Sequence, residues 1–149
     1  MLRQRDLIKG IANISVVIMI AFFAMGMGTL GEERPTKIPE TKDNFSATVI
    51  DQFDFSSDLT LFSFEGQTFL WGRHGGATVS IFFNKIQEID FYKRGGDLFA
   101  VVTMGKGPQV ELRMDDDRIF YGQLPYGLFS IKSEDVKRVI LKGLTGQGR

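Results

Sequence analysis

The stretch FLWGRHGGATVSIFFNKIQEIDF runs from Phe69 to Phe91, and IFYGQLPYGLFSIKSEDVKRVIL runs from Ile119 to Leu141, fifty positions further on. Trp71 answers Tyr121 and Gly72 answers Gly122. Ser80-Ile81 answers Ser130-Ile131, and Ile86, Ile89 and Phe91 answer Val136, Val139 and Leu141. Strict identities are few; the agreement is one of residue class at an unbroken offset, and it predicts an internal duplication. The echo extends upstream. In VELRM (Val110–Met114), Val110, Leu112 and Met114 alternate with Glu111 and Arg113, the period-two mark of a half-buried strand. Asp115, Asp116 and Asp117 interrupt it before RIFYG (Arg118–Gly122), so a hairpin is expected there. Fifty residues earlier Thr60, Phe62 and Phe64 take the inward positions, Glu65-Gly66-Gln67 replaces the aspartates, and TFLWG answers RIFYG.

The close of each unit breaks the strand period. Ile131 to Val136 spans five residues, Val136 to Val139 three and Val139 to Leu141 two. A strand ending near Ser133, one tight helical turn at SEDV and a final strand reconcile these spacings. Ser133 suits the cap of that turn, and Glu134 and Asp135 suit its positive end. Asn84, Lys85 and Ile86 fit the same device in the first unit. Between the units lies YKRGGDLFAVVTMGKGP, with turn signals at Gly95-Gly96 and Gly105–Pro108 around a buried strand DLFAVVTM. The expected fold is all-β. Two related strand-turn-strand units, 45–93 and 97–143, form one domain as a β-sandwich or as fused SH3-like half-barrels. One unit alone buries too little of its surface to be secure, whereas two share a core.

The N-terminal segment reads differently. Arg3, Arg5 and Lys9 precede the uncharged run VVIMIAFFAMGMG (Val16–Gly28), and the charged, proline-containing GEERPTKIPETKDN follows. A basic, then apolar, then small-residue order is that of a secretory signal peptide. The twenty residues from Ile11 to Leu30 also suffice for an uncleaved anchor. Residues 1–28 are therefore expected to be a signal peptide or an N-terminal hydrophobic membrane helix, residues 29–44 a linker, and 144–149 a flexible tail. Both readings place the remainder outside the cytoplasm, in the periplasm or tethered to the inner membrane and facing it.

Composition narrows the chemistry. The chain of 149 residues has no cysteine, which excludes disulfides, thiolate metal sites and a cysteine nucleophile. Removing residues 1–28 takes three basic residues and one acid, leaving 15 Lys+Arg against 17 Asp+Glu, a net charge of −2. That is no footprint for nucleic acid. His74 is the only histidine, in GRHGG, and neither HExxH nor Gly-x-Ser-x-Gly occurs. GRHGG and MGKGP set a basic residue among glycines but lack the spacing of a phosphate loop. Asp115, Asp116 and Asp117 offer hard oxygens to Ca²⁺ without the alternate spacing of an EF-hand, and as a turn they simply keep the tip solvated. The aromatic residues are 14 Phe, 3 Tyr and 1 Trp, mostly core. Trp71 and Tyr121, with Arg73, His74 and Tyr126 beside them, make a candidate ligand or partner surface. The plainer reading has both rings capping the core.

The aromatic-Gly strand, the following strand and the spaced aliphatics at Trp71–Phe91 and Tyr121–Leu141 resemble a motif of exported bacterial β domains of unknown function. The resemblance covers about residues 45–143. It implies an envelope location and a β fold, and it carries over no catalytic residue. The expected function is a non-enzymatic envelope module that binds another envelope protein or copies of itself. It needs no cofactor, and it meets the membrane only through an uncleaved N-terminus. The alternative is a periplasmic carrier or sensor of an apolar or carbohydrate ligand, and a hydrolase with an unrecognised carboxylate site stands third.

Overall fold

A computed structural model describes residues 37–146. The signal peptide or anchor expected at residues 1–28 lies outside the described residues. Ten strands follow in order: β1 (Phe45–Asp51), β2 (Ser56–Phe64), β3 (Phe69–His74), β4 (Ala77–Phe82), β5 (Ile86–Arg94), β6 (Asp97–Met104), β7 (Gln109–Met114), β8 (Ile119–Leu124), β9 (Gly127–Lys132) and β10 (Val136–Leu144). The fold is all-β. The sequence left a sandwich and fused half-barrels open; hydrogen bonding instead runs continuously through one antiparallel sheet that curls into a half-barrel, in the order β4-β3-β7-β6-β5-β10-β1-β2-β8-β9.

That order is palindromic. Exchange β1–β5 for β6–β10 and it reads the same backwards. The centre lies between β5 and β10, where Val139 pairs with Ile89, two residues fifty positions apart. Arg138 pairs with Asp90 and Ile140 with Glu88 on either side. Both central residues are fully buried. The single-turn 3₁₀ helices expected from the spacing are present at Phe83–Lys85 and Ser133–Asp135, again fifty apart. Ser133 does not cap its helix, however. It is buried, and its hydroxyl donates to the Arg118 carbonyl at 2.9 Å.

The expected hairpins do not form. Between β2 and β3 there is one isolated bridge, from Phe64 at the end of β2 to Gln67 ahead of β3, closed by the two-residue turn Glu65-Gly66 with φ of 50° and 78°. Beyond it the strands part: β3 pairs with β7 of the other half, and β8 pairs with β2. Glu65 holds the crossover, since its N–H donates to the Ile119 carbonyl at 2.9 Å and its carboxylate accepts the Ile119 N–H at 2.6 Å. Each half thus lends its β-hairpin to the sheet of the other.

The interchange corrects the alignment of the first two strands. Thr48 pairs with Ile140 and Asp58, as Val101 pairs with Asp90 and Glu111, so β1–β2 match β6–β7 at an offset of fifty-three rather than fifty. The three additional residues lie between Thr60 and Phe69. Leu61 takes φ 50° there, its N–H tied to the Asn44 side chain at 2.8 Å.

The offset of fifty-three explains why glycine recurs beside each aromatic. A Cβ on Gly72 would lie 2.9 Å from Leu112 Cβ, and one on Gly122 would lie 2.9 Å from Leu59 Cδ1. Leu59 and Leu112 are equivalent, so each half's leucine presses on the other half's glycine. Burial of one face draws the halves together. Phe62 stacks on Phe120 at 5.5 Å and on Phe83 at 5.3 Å, and Phe64 meets Phe120 at 4.9 Å. Phe62, Ile81 and Leu112 belong to this single core, with Ile131 packed against it. β6 buries Leu98, Ala100 and Val102 on one face only, so it is half-buried rather than enclosed.

Candidate functional site

On β3, alternation turns Leu70 and Gly72 inward and leaves Trp71 and Arg73 on the outer face. Trp71 is half-buried, its ring 4.4 Å from that of Phe64 and 5.6 Å from that of Phe69, and it packs against the core. Arg118 lies over it at 5.9 Å. Arg73, one turn of the pleat further on, is exposed and pairs directly with Arg113 of β7, the one register pair that joins the two strands. His74 ends β3 and donates from Nδ1 to the Glu111 carbonyl at 3.0 Å.

The crossing of β3 on β7 leaves a groove of about 390 Å³ lined by Arg73, His74, Asp97, Phe99, Glu111 and Arg113. A second depression of about 300 Å³ shares the two arginines and adds Trp71, Thr78, Asp115 and Arg118. Two of the acids here are already engaged. Glu111 accepts a hydrogen bond from the Tyr92 hydroxyl and forms an ion pair with Arg94 at 3.1 Å; the hydroxyl, then the guanidinium, hold its carboxyl below the usual glutamate value. Asp115 takes Nε and Nη2 of Arg118 at 3.1 and 2.9 Å, which raises the Arg118 guanidinium. The side chains of Arg73 and Arg113 enter no ion pair or hydrogen bond among the described residues.

The pseudo-symmetry supplies a control. Where β8 crosses β2, Gln123 pairs with Thr60, the equivalents of Arg73 and Arg113. A groove of about 540 Å³ lies there too, lined in part by Ser46, Asp58, Thr60, Gln123, Leu124 and Lys142. Asp58 is the counterpart of Glu111. It accepts from Thr48 at 2.5 Å and pairs with Lys142 at 2.9 Å, and the hydroxyl, then the ammonium, lower its carboxyl in the same way. The fold therefore builds the groove twice and neutralises its acid twice, but only one copy carries arginines.

The remaining expected residues are spread out. Tyr121 lies half-buried on β8, opposite Ser63 and Ser130, and is not brought beside Trp71's groove. Tyr126 stands 87% exposed on the β8–β9 turn. Of the three aspartates, Asp115 is held by Arg118, and no three His, Asp or Glu side chains among the described residues converge on a metal-sized space. Two features went unforeseen. In the sequence Arg113 is distinguished only as an outward strand residue, because its partner Arg73 lies in the other half. The β1–β2 turn displays Phe53 and Phe55 at 83% and 73% exposure, fixed by the Asp51 carboxylate, which accepts both their N–H groups.

Comparison with known proteins adds a family. A family model described as "Uncharacterised protein" matches residues 41–143. The chain belongs to that family. The match takes in nine strands whole and β10 as far as Gly143, so both grooves and both strand exchanges lie inside it. No curated protein and no solved structure matches the chain.

Proposed function

We propose that the chain is a non-enzymatic, exported envelope module that docks another protein, or a further copy of itself, by strand addition to an open sheet edge. The observation that supports this is β4. It terminates the sheet with no described strand beyond it, and its sequence ATVSIF contains neither charge nor proline. Soluble proteins usually blunt such an edge with lysine, proline or a bulge, because its free N–H and C=O groups template another strand. Here Phe82 adds a ring 61% exposed at the same edge. β9, the equivalent edge, is interrupted by nothing but Lys132 at its end. Main-chain pairing supplies affinity in this mode of recognition, and alternate side chains supply selectivity. The duplicated unit is consistent with a scaffold that offers two related edges on one core.

The absence of cysteine makes the test clean. A photo-crosslinking residue is placed at Ser80 or Thr78 in the full chain, expressed in its native envelope, with Gly95 in the β5–β6 turn as control. The reading requires a discrete crosslinked species from β4 positions that disappears in Thr78→Lys/Ser80→Lys. Crosslinking no stronger than from Gly95 removes edge pairing as the function.

A further inference from the structure

We propose that Arg73 and Arg113 form a binding site for a single oxyanion, carboxylate or phosphate, carried by a ligand seated across the β3–β7 junction. The proposal is independent of strand addition at β4. Like charges directly opposite on neighbouring strands destabilise a sheet, with Cβ atoms about 4.5–5.5 Å apart. This pair nevertheless occupies the one register position joining β3 to β7. The architecture does not demand it, because Gln123 and Thr60 occupy the same places in the other half. Nearby acids do not relieve it: Glu111 is held by Tyr92 and Arg94, Asp115 by Arg118, and Asp97 lines the groove without an ion pair to either arginine. Two planar guanidinium forks carried on facing strand positions and lining one groove offer donors that match the paired oxygens of a carboxylate or phosphate, and they hydrate more weakly than ammonium groups. The site differs from a glycine phosphate loop. Gly75 and Gly76 merely turn the chain, and it is the cross-strand pair that supplies the donors.

The test uses full-length protein and NMR or calorimetric titration with sodium phosphate and with sodium glucuronate, at fixed ionic strength in chloride. Saturable binding is expected with at least one anion, and the tighter of the two names the carrier chemistry. Arg73→Gln/Arg113→Thr installs the residues that the other half already tolerates. It is expected to bind at least tenfold more weakly while unfolding at an equal or higher temperature, since the like-charge pair is gone. Lys137→Gln, which alters a cation paired with Asp54 elsewhere, leaves binding unchanged. The proposal is overturned by no saturable binding of either anion, by undiminished binding in the double variant, or by an equal loss with Lys137→Gln. A double variant that is both weaker and less stable also overturns it, assigning the pair a structural role.

Discussion

Replacing Gly122 by alanine puts a methyl group 2.9 Å from Leu59 Cδ1, 3.0 Å from its Cβ and 3.2 Å from its Cγ. Carbon atoms in contact prefer about 3.5–4.0 Å. Leu59 is buried to 2% exposure, so its side chain has little room to withdraw. Forcing one extra carbon into a packed core costs about 1–3 kcal/mol. Alanine regains about 0.5–1 kcal/mol by restricting the unfolded chain, because Gly122 does not use positive φ. The net loss is about 0–2.5 kcal/mol, centred near 1, which lowers the melting temperature of a domain this size by about 4–5 °C per kcal/mol. Gly72→Ala should lose more, about 2–3 kcal/mol, since it meets the Arg113 carbonyl at 3.0 Å as well as Leu112 Cβ, and backbone cannot rotate aside. Urea unfolding of Gly122→Ala, Leu59→Ala and the double variant measures the contact directly. Trimming Leu59 removes the Cγ and Cδ1 clashes, so the pair should be less destabilising than the sum of its parts by about 1 kcal/mol. Strict additivity of the two substitutions refutes the crossing of β8 on β2.

Ser63 is fully buried on β2, and its hydroxyl has no hydrogen-bond partner among the described residues; Ser63→Ala is expected to raise stability by about 1 kcal/mol, read from the urea midpoint. Glu111 titrates below its ordinary 4.5 because Tyr92 and then Arg94 favour its charged form. Its contribution is complete above pH 4.5 and is lost as pH falls through the lower folded value. Thermal midpoints of Glu111→Gln should thus lie below the parent at neutral pH and converge with it on acidification. Glu88 runs the opposite way, raised by burial and then by Asp90, so its stabilising term is present at low pH and is lost as pH rises through the higher folded value. Glu88→Gln should flatten that part of the profile.

Local patterns carried most of the fold. VELRM alternates because one face of β7 is buried, and the five-three-two spacing after Ile131 betrays the 3₁₀ turn, since both are properties of a few neighbouring residues. Partner choice was not local. A short acidic tip between Met114 and Ile119 suits a hairpin equally well, and only the tertiary structure shows β7 turning to β3 and β8 to β2. The same non-locality hid the reason for Gly72 and Gly122. Each was legible as a repeated glycine, but the leucine that requires it belongs to the opposite half. The ungapped alignment also failed upstream of Phe69, because the positive φ of Leu61 and Glu65 absorbs three residues without altering hydrophobic periodicity. At the candidate groove, Arg73 and His74 were legible as basic residues near a turn. Arg113 was not, because its significance arises from facing another arginine across a strand exchange.

The exchange of hairpins between halves is tested most directly by cross-strand NOEs on labelled protein. The structure requires contacts from Arg73 to Arg113, from Gln123 to Thr60 and from Ile89 to Val139. Continuous contacts of β3 with β2, or of β8 with β7, would contradict it.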